Sequence, residues 1–160
     1  MSIGFAILVS LGVCVISAIL EGVFAGRNVK QYFARLRHPS YALPLWGWYV
    51  IGGFYYVIFG VVLYRILRQE GNATARNIAL ALLLLMMSVN AFWNYVFFRV
   101  RNLFVSFFAF TPYLFFAVAL FVFLLQFDRI AAWLILLYLL YLIYAASWGY
   151  RLWILNRSSN

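Results

Sequence analysis

Apolar residues along this chain are gathered into long runs, which short polar segments separate. There are five such runs, and each approaches the roughly 20 residues that a helix needs to cross the hydrocarbon of a bilayer. Because hydrocarbon offers no partner to backbone amides and carbonyls, each run is predicted to be a helix. The fold class expected is an all-α membrane protein, a five-helix bundle that forms a single domain over residues 1–160. The approximate spans are Ile3–Phe24, Pro44–Leu67, Ile78–Phe98, Leu103–Phe127 and Ala131–Leu155.

The overall composition agrees with a membrane location and excludes a soluble domain. Of the 160 residues, 68% are hydrophobic and 9% are charged, and the mean hydropathy is +0.99. A soluble chain of this length has too little interior to bury so much apolar surface. The single cysteine, Cys14, provides no intramolecular disulfide framework. The first run lacks a basic leading segment and a convincing cleavage site, so we interpret it as a retained span.

Most of the basic residues lie between the apolar runs, and the chain has a net charge of +9. Loops next to anionic headgroups explain this pattern, so the expected partner is the lipid bilayer and no nucleic acid is expected. On the side of the first loop and the C-terminus lie Arg27, Lys30, Arg35, Arg37, Arg99, Arg101, Arg151 and Arg157. On the other side lie Arg65, Arg68, Arg76 and Arg129. This bias predicts that the N-terminus is outside and that the first loop and the C-terminus are cytoplasmic.

Two amides and an indole interrupt the third apolar run, within the stretch SVNAFWNYVFF. Asn90, Trp93 and Asn94 are three and four residues apart, so they share one side of a helix. An unpartnered polar group is costly at membrane depth, so these side chains either bond a neighbouring helix or line a cavity. The predicted topology places them in the same half of the bundle as Trp46 and Trp48, although tryptophans at helix ends are also typical of an interfacial belt.

An aromatic stripe on the fifth run lies in that same half. Tyr141, Tyr144, Trp148 and Arg151 follow each other at spacings of three, four and three residues. Such a stripe is either packing or a ligand wall. Together with the polar third run it predicts a cavity, with the long first loop, Gly26–Leu43, as its lid.

Few residues in the chain can carry reaction chemistry. Three acids and one histidine provide no nucleophile–base pair, no paired carboxylates and no metal cluster, so no catalytic or metal-binding residue is assigned. Glu21 stands among apolar neighbours and either pairs with Arg27 or has a functional role, while His38 is a lone imidazole. A cavity lined by indoles, phenols and amides suits a large flat apolar ligand with polar edges, such as a porphyrin or a sterol.

Three segments carry a family resemblance. The stretch YFARLRHPSYALPLWGWYVIGGFYYVIFG resembles the translocator protein (TspO/MBR) family, also called the tryptophan-rich sensory protein or peripheral benzodiazepine receptor family. The residues in register there are Leu36, Pro39, Pro44, Trp46, Tyr56 and Gly60, with Trp48 at the following aromatic position. The third run matches through Asn90, Trp93, Phe97 and Phe98, and the last through Tyr138, Leu139, Ala145, Trp153, Leu155 and Asn156. The resemblance implies a five-helix bundle, often dimeric, whose pocket binds tetrapyrroles, sterols and benzodiazepine-type ligands beneath the first loop.

Several positions depart from the family pattern. Tyr32 and Tyr141 stand where bacterial members carry tryptophans that are associated with oxidative porphyrin breakdown, and Gly52 replaces another tryptophan. Tyrosine at both places keeps a stacking surface but argues against that activity. The homodimer that the resemblance implies has a candidate small-residue seam at Gly52–Gly53 or Gly60.

The expected function is therefore that of an integral membrane binding protein: a sensor, carrier or scavenger of a hydrophobic small molecule. The ligand is a tetrapyrrole such as porphyrin or haem, or another flat molecule such as a sterol, and no cofactor is required. The predicted ligand-binding residues are Tyr32, Trp46, Trp48, Asn90, Trp93, Asn94, Tyr141, Ala145 and Trp148. Two alternatives stay open, an oxidative or light-dependent porphyrin-degrading enzyme and a structural or partner-binding bundle without a small ligand.

Overall fold

The computed structural model describes residues 1–157, which form five membrane-length helical segments and a short helix in the first connection. The five-helix prediction is confirmed. The predicted domain runs to Asn160, and residues 158–160 lie outside the described part. A π-helical turn, Val96–Val100, continues α4. The helices are α1 Ile3–Ala25, α2 Val29–Arg35, α3 Leu45–Arg68, α4 Ala73–Tyr95, α5 Leu103–Phe108, α6 Phe110–Leu125 and α7 Arg129–Asn156.

Polar side chains and prolines set several helix ends. Pro44 is the N-cap of α3, where its missing N–H costs nothing. The Asn72 side chain accepts a hydrogen bond from Ala75 N at 3.0 Å, so α4 begins one turn before the predicted apolar start at Ile78. The predicted fourth span is divided into α5 and α6 at Ala109. Pro112 lies in the first turn of α6 and has no N–H to donate to a carbonyl of the preceding turn, so the hydrogen-bonding of the helix is interrupted there.

The hydrophobic core fills one half of the bundle. It is built from the C-terminal half of α3, the N-terminal half of α4, and the parts of α6 and α7 beside them. Its largest fully buried members include Phe59, Leu63, Ile66, Leu83, Met86, Leu120, Leu124, Ile135 and Leu142. This end also contains an ion pair in which Arg65 Nε donates to Asp128 at 2.9 Å. The opposite half of the bundle contains a cavity instead of a continuous core.

Helix α1 contributes little to the core. It packs against α3 and α4, and only Ala6, Ser10 and Cys14 are buried along its length. Most of its other apolar side chains are exposed, as expected of a helix that faces lipid. Helices α1 and α3 approach each other closely at two small residues, Cys14 and Gly60. The approach is close because a Cβ added at Gly60 would already lie 3.4 Å from Cys14 Sγ.

Candidate functional site

A cavity of about 570 Å³ occupies the half of the bundle that the core leaves open. All five membrane-length segments contribute to its wall, and so does the first connection. The volume lies within the range of about 300–1,000 Å³ that is usual for small-molecule sites. The predicted cavity in this half of the bundle is therefore confirmed.

The structure brings seven of the nine predicted ligand-binding residues into the cavity wall. These seven are Trp48, Asn90, Trp93, Asn94, Tyr141, Ala145 and Trp148. Their helical spacing explains the agreement, because residues three and four apart on α4 and on α7 face the same way. Their role in binding a ligand stays a prediction.

Trp46 does not lie in the cavity wall. It precedes Trp48 by two residues, which is a rotation of roughly 200° on a helix, so the two indoles point in nearly opposite directions. The Trp46 side chain is 69% exposed on the outside of the bundle. This position corrects the sequence prediction and agrees with the interfacial-belt alternative.

Tyr32 also lies outside the cavity wall, but for a different reason. It is buried on α2, and its ring packs edge-on against Phe97 and Phe98, with ring centroids 5.7 and 6.3 Å away. The Arg101 guanidinium lies 5.2 Å from the ring centroid. Burial raises the pKa of the Tyr32 phenol, and Arg101 opposes that shift. Tyr32 thus supports the wall from behind instead of stacking on a ligand, which is the second correction.

Aromatic rings form a continuous surface on one side of the cavity. The Trp48 and Trp148 ring centroids are 4.4 Å apart, and Trp93 stacks on Phe97 at 4.8 Å with an interplanar angle of 17°. Phe97 in turn lies 5.8 Å from Trp148. The Trp93 Nε1–H donates to Ser106 O at 3.0 Å, which holds that indole in place. These contacts give a rigid wall suited to a flat aromatic or alicyclic molecule.

The polar groups of the third run both bond neighbours and line the cavity. Asn90 Nδ2 donates to Glu21 Oε1 at 2.6 Å, across from α4 to α1. Asn94 Nδ2 donates to Asn90 O at 3.0 Å within α4. The alternative in which Glu21 pairs with Arg27 is not observed: within residues 1–157, the one ion pair is Arg65–Asp128. The two sequence interpretations of these amides are therefore compatible.

Within residues 1–157, four polar hydrogens in cavity-lining residues make no hydrogen bond of good geometry. They belong to the Trp48 and Trp148 indoles and to the Tyr55 and Tyr56 hydroxyls, and all four donor atoms are buried. A buried donor without an acceptor costs about 1–3 kcal/mol, and such groups are few in folded proteins. Acceptor atoms at the edge of a bound molecule would offset this cost.

The first connection borders the cavity and is bonded to α7. Its residues Gly26, Val29 and Phe33 contribute to the wall. The Asn156 side chain holds this connection by accepting from Arg37 N at 3.0 Å and donating to Arg37 O at 3.0 Å. The connection thus covers the cavity at the end of α7, where the sequence predicted a lid.

The turn that leads into this connection requires glycine. Gly26 has φ of +77°, a conformation that side-chain-bearing residues rarely adopt. A Cβ at this position would also lie 3.1 Å from Arg99 Nε. Arg99 Nη2 donates to Val23 O at 2.7 Å and so satisfies a carbonyl at the C-terminal end of α1.

Sequence reasoning missed part of the wall. Tyr55 and Tyr56 lie on α3, seven and eight residues (about two turns) beyond Trp48, and Tyr138 lies three residues before Tyr141 on α7. Following the helical period two turns beyond Trp48 on α3, and one turn before Tyr141 on α7, would have found them. Within residues 1–157, no three of the His, Cys, Asp and Glu side chains are grouped as metal ligands would be.

The comparisons with known proteins agree with this architecture. The sequence model of the TspO/MBR family matches residues 10–154, nearly the whole chain. A search of curated proteins found no match. The five membrane-length helices and the family match together show an integral multi-pass membrane protein, and the chain belongs to the TspO/MBR family.

Proposed function

We propose that this protein binds a large, flat, hydrophobic molecule in the cavity and acts as its sensor, carrier or scavenger. The ligand class is a tetrapyrrole such as porphyrin or haem, or a flat alicyclic molecule such as a sterol. The observation that carries this proposal is the 570 Å³ cavity, whose wall combines closely packed indoles with a few polar groups. A purely structural bundle has no need of such a cavity, because empty space forfeits packing contacts.

Two kinds of interaction would hold the ligand. Stacking on Trp48, Trp93 and Trp148 contributes dispersion and apolar burial, with about 0.5–1.5 kcal/mol for each well-placed aromatic pair beyond its buried area. The unpartnered donors of Trp48 and Trp148 would meet acceptor atoms at the ligand edge, which removes the cost of leaving them unbonded. Shape and hydrogen bonding thus favour the same class of molecule.

Replacing Trp48 by alanine tests the proposal against a matched control. We expect porphyrin titration of the detergent-solubilised protein to quench tryptophan fluorescence saturably, and Trp48→Ala to weaken affinity by about tenfold through lost stacking. Trp46→Ala removes an indole two residues away that faces outward, so its affinity should match the wild type. Equal effects of the two substitutions, or quenching that never saturates, would reject the cavity as the binding site.

The same titration separates binding from degradation. Under illumination, a porphyrin-degrading enzyme would lose porphyrin absorbance faster than a detergent blank does. A binding protein would lose porphyrin absorbance no faster than the blank. Of the two tyrosines that replace the family's tryptophans, only Tyr141 lines the cavity, which supports binding over degradation.

We also propose the orientation that the charge bias predicts, with the N-terminus outside and the cavity in the cytoplasmic half. Cysteines introduced at Asn28 and Gly71 lie in exposed connections at opposite ends of the bundle, while the native Cys14 is buried. In sealed right-side-out vesicles, an impermeant maleimide should label Gly71→Cys and leave Asn28→Cys unlabelled until lysis. Labelling of Asn28→Cys, with Gly71→Cys protected until lysis, would show the opposite topology. The homodimer implied by the family resemblance remains a prediction.

A further inference from the structure

Glu21 places a carboxyl group in the cavity wall on a defined face of α1. Ala18, Gly22 and Ala25 also line the cavity, and they lie three before, one after and four after Glu21. This spacing shows that the cavity-facing side of α1 includes Glu21. The carboxyl group is therefore available to a molecule in the cavity and is not directed at lipid.

The partners of this carboxyl group are uncharged. Asn90 Nδ2 donates to Oε1 at 2.6 Å. The Tyr56 hydroxyl also faces the carboxyl group and interacts with it as a second uncharged donor, without the geometry of a full hydrogen bond. Among the residues that the structure describes, no lysine, arginine or histidine lies within ion-pair distance of Glu21.

The rest of the wall also lacks a compensating positive charge. In the described part of the chain, the wall contains Glu21 and several tyrosines but no lysine, arginine or histidine. A carboxylate in a low-dielectric site is stabilised by an opposite charge or by several donors, and the Asn90 amide with the nearby Tyr56 hydroxyl meets only part of that requirement. A ligand that brings a positive charge would complete the site.

We propose that Glu21 selects ligands that carry a protonated amine, so that the cavity prefers cationic flat molecules over otherwise similar carboxylates. The ammonium or ring N–H⁺ would donate to the free Glu21 oxygen, while the flat part of the molecule stacks on Trp48 and Trp148. The rings of Tyr55 and Tyr56, whose centroids are 4.9 Å apart, offer cation–π contact beside the carboxyl group. This inference rests on the proposed function of the cavity and specifies its ligand chemistry.

The mouth of the cavity differs from the Glu21 site in charge. Arg99 lies beside Gly26, at the edge formed by the first connection. A carboxylate on a ligand, such as the side chains of a tetrapyrrole, would therefore face this edge, away from Glu21. The charge pattern thus orients a ligand as well as selecting it.

Two acridines of similar size test the inference: 9-aminoacridine, which is protonated at neutral pH, and acridine-9-carboxylate. Their affinities for the full chain in a neutral detergent are measured by quenching of tryptophan fluorescence. We expect the affinity for 9-aminoacridine to be at least about ten times that for the carboxylate, because the amine can form a charge-assisted hydrogen bond with Glu21. Glu21→Gln should lower the amine affinity by about tenfold and change the carboxylate affinity by less than about threefold.

Two further variants control for charge and folding. Glu70→Gln removes the same charge from an exposed position outside the cavity, and should leave the preference intact. Glu21→Asp keeps the charge and should retain part of the preference. Equal, saturable binding of both acridines, unaffected by Glu21→Gln, overturns the role of Glu21 and leaves the cavity proposal standing. If neither acridine nor porphyrin binds the wild type, both proposals are overturned.

Discussion

Replacing Asp128 by alanine should destabilise the folded bundle by about 3 kcal/mol, a large loss for a single polar side chain. Asp128 is 8% exposed and accepts from Arg65 Nε through both carboxylate oxygens, at 3.0 and 2.9 Å. Its Oδ1 also accepts from Ala131 N at 3.0 Å and so caps α7. Alanine removes the ion pair between α3 and α7 and the cap of α7 together.

The remaining exposure of Arg65 limits this loss. Its side chain is 32% exposed, so water partly solvates the guanidinium after the carboxylate is removed. The loss should therefore lie at the lower end of the roughly 3–5 kcal/mol that breaking a fully buried pair costs. For a chain of this size, we expect the melting temperature to fall by about 10 °C.

Melting in mild detergent, followed by a maleimide dye that reacts with buried Cys14 as the bundle opens, measures this effect. Asp128→Asn keeps an acceptor for Ala131 N but loses the charge, so its melting temperature should be intermediate. Glu70→Ala removes an exposed acid near the same end of the bundle and should melt like the wild type. A melting temperature of Asp128→Ala equal to that of Glu70→Ala would show that the ion pair and the cap contribute no stability.

Filling the cavity from α7 should abolish most ligand binding without unfolding the protein. Ala145 lies four residues after Tyr141 and three before Trp148, both cavity-lining, so a larger side chain at this position projects into the same space. Ala145→Phe is expected to weaken porphyrin binding by at least about tenfold, because the ring occupies volume that the ligand needs. Its melting temperature should be unchanged or higher, since filling a cavity adds packing contacts.

Ile143→Phe is the matched control for this substitution. Ile143 lies two residues before Ala145 on the same helix and is 66% exposed on the outer face. The added ring is then directed at lipid or detergent, and porphyrin affinity should match the wild type. A natively folded Ala145→Phe variant that binds porphyrin normally would place the binding site elsewhere on the molecule.

Local patterns in the sequence predicted the helices well because the bilayer constrains them strongly. A backbone in hydrocarbon must satisfy its own hydrogen bonds, so an apolar run of sufficient length has essentially one structure available. The errors occurred where polar residues continue a helix or where proline divides one. Ala73–Asn77 is helical because Asn72 caps it, and the span after Leu103 is divided before Pro112.

The candidate site was predictable to the extent that helical period determines which residues share a face. The period grouped Asn90 with Trp93 and Asn94, and it grouped Tyr141 with Trp148, and all five line the cavity. Period alone does not say which face of a helix points inward. For that reason the sequence could not separate Trp48, which lines the cavity, from Trp46, which is exposed.

The sequence by itself determined that this chain spans a membrane five times and that polar and aromatic side chains share one half of the bundle, because both properties depend on residues close together along the chain. Only the tertiary structure decided the size and the walls of the cavity predicted in this half, that Tyr32 lies behind the wall, and that Glu21 bonds to Asn90, 69 residues away. These features depend on how helices distant in sequence pack together. The geometry of that packing leaves a space in one half of the bundle and fills the other.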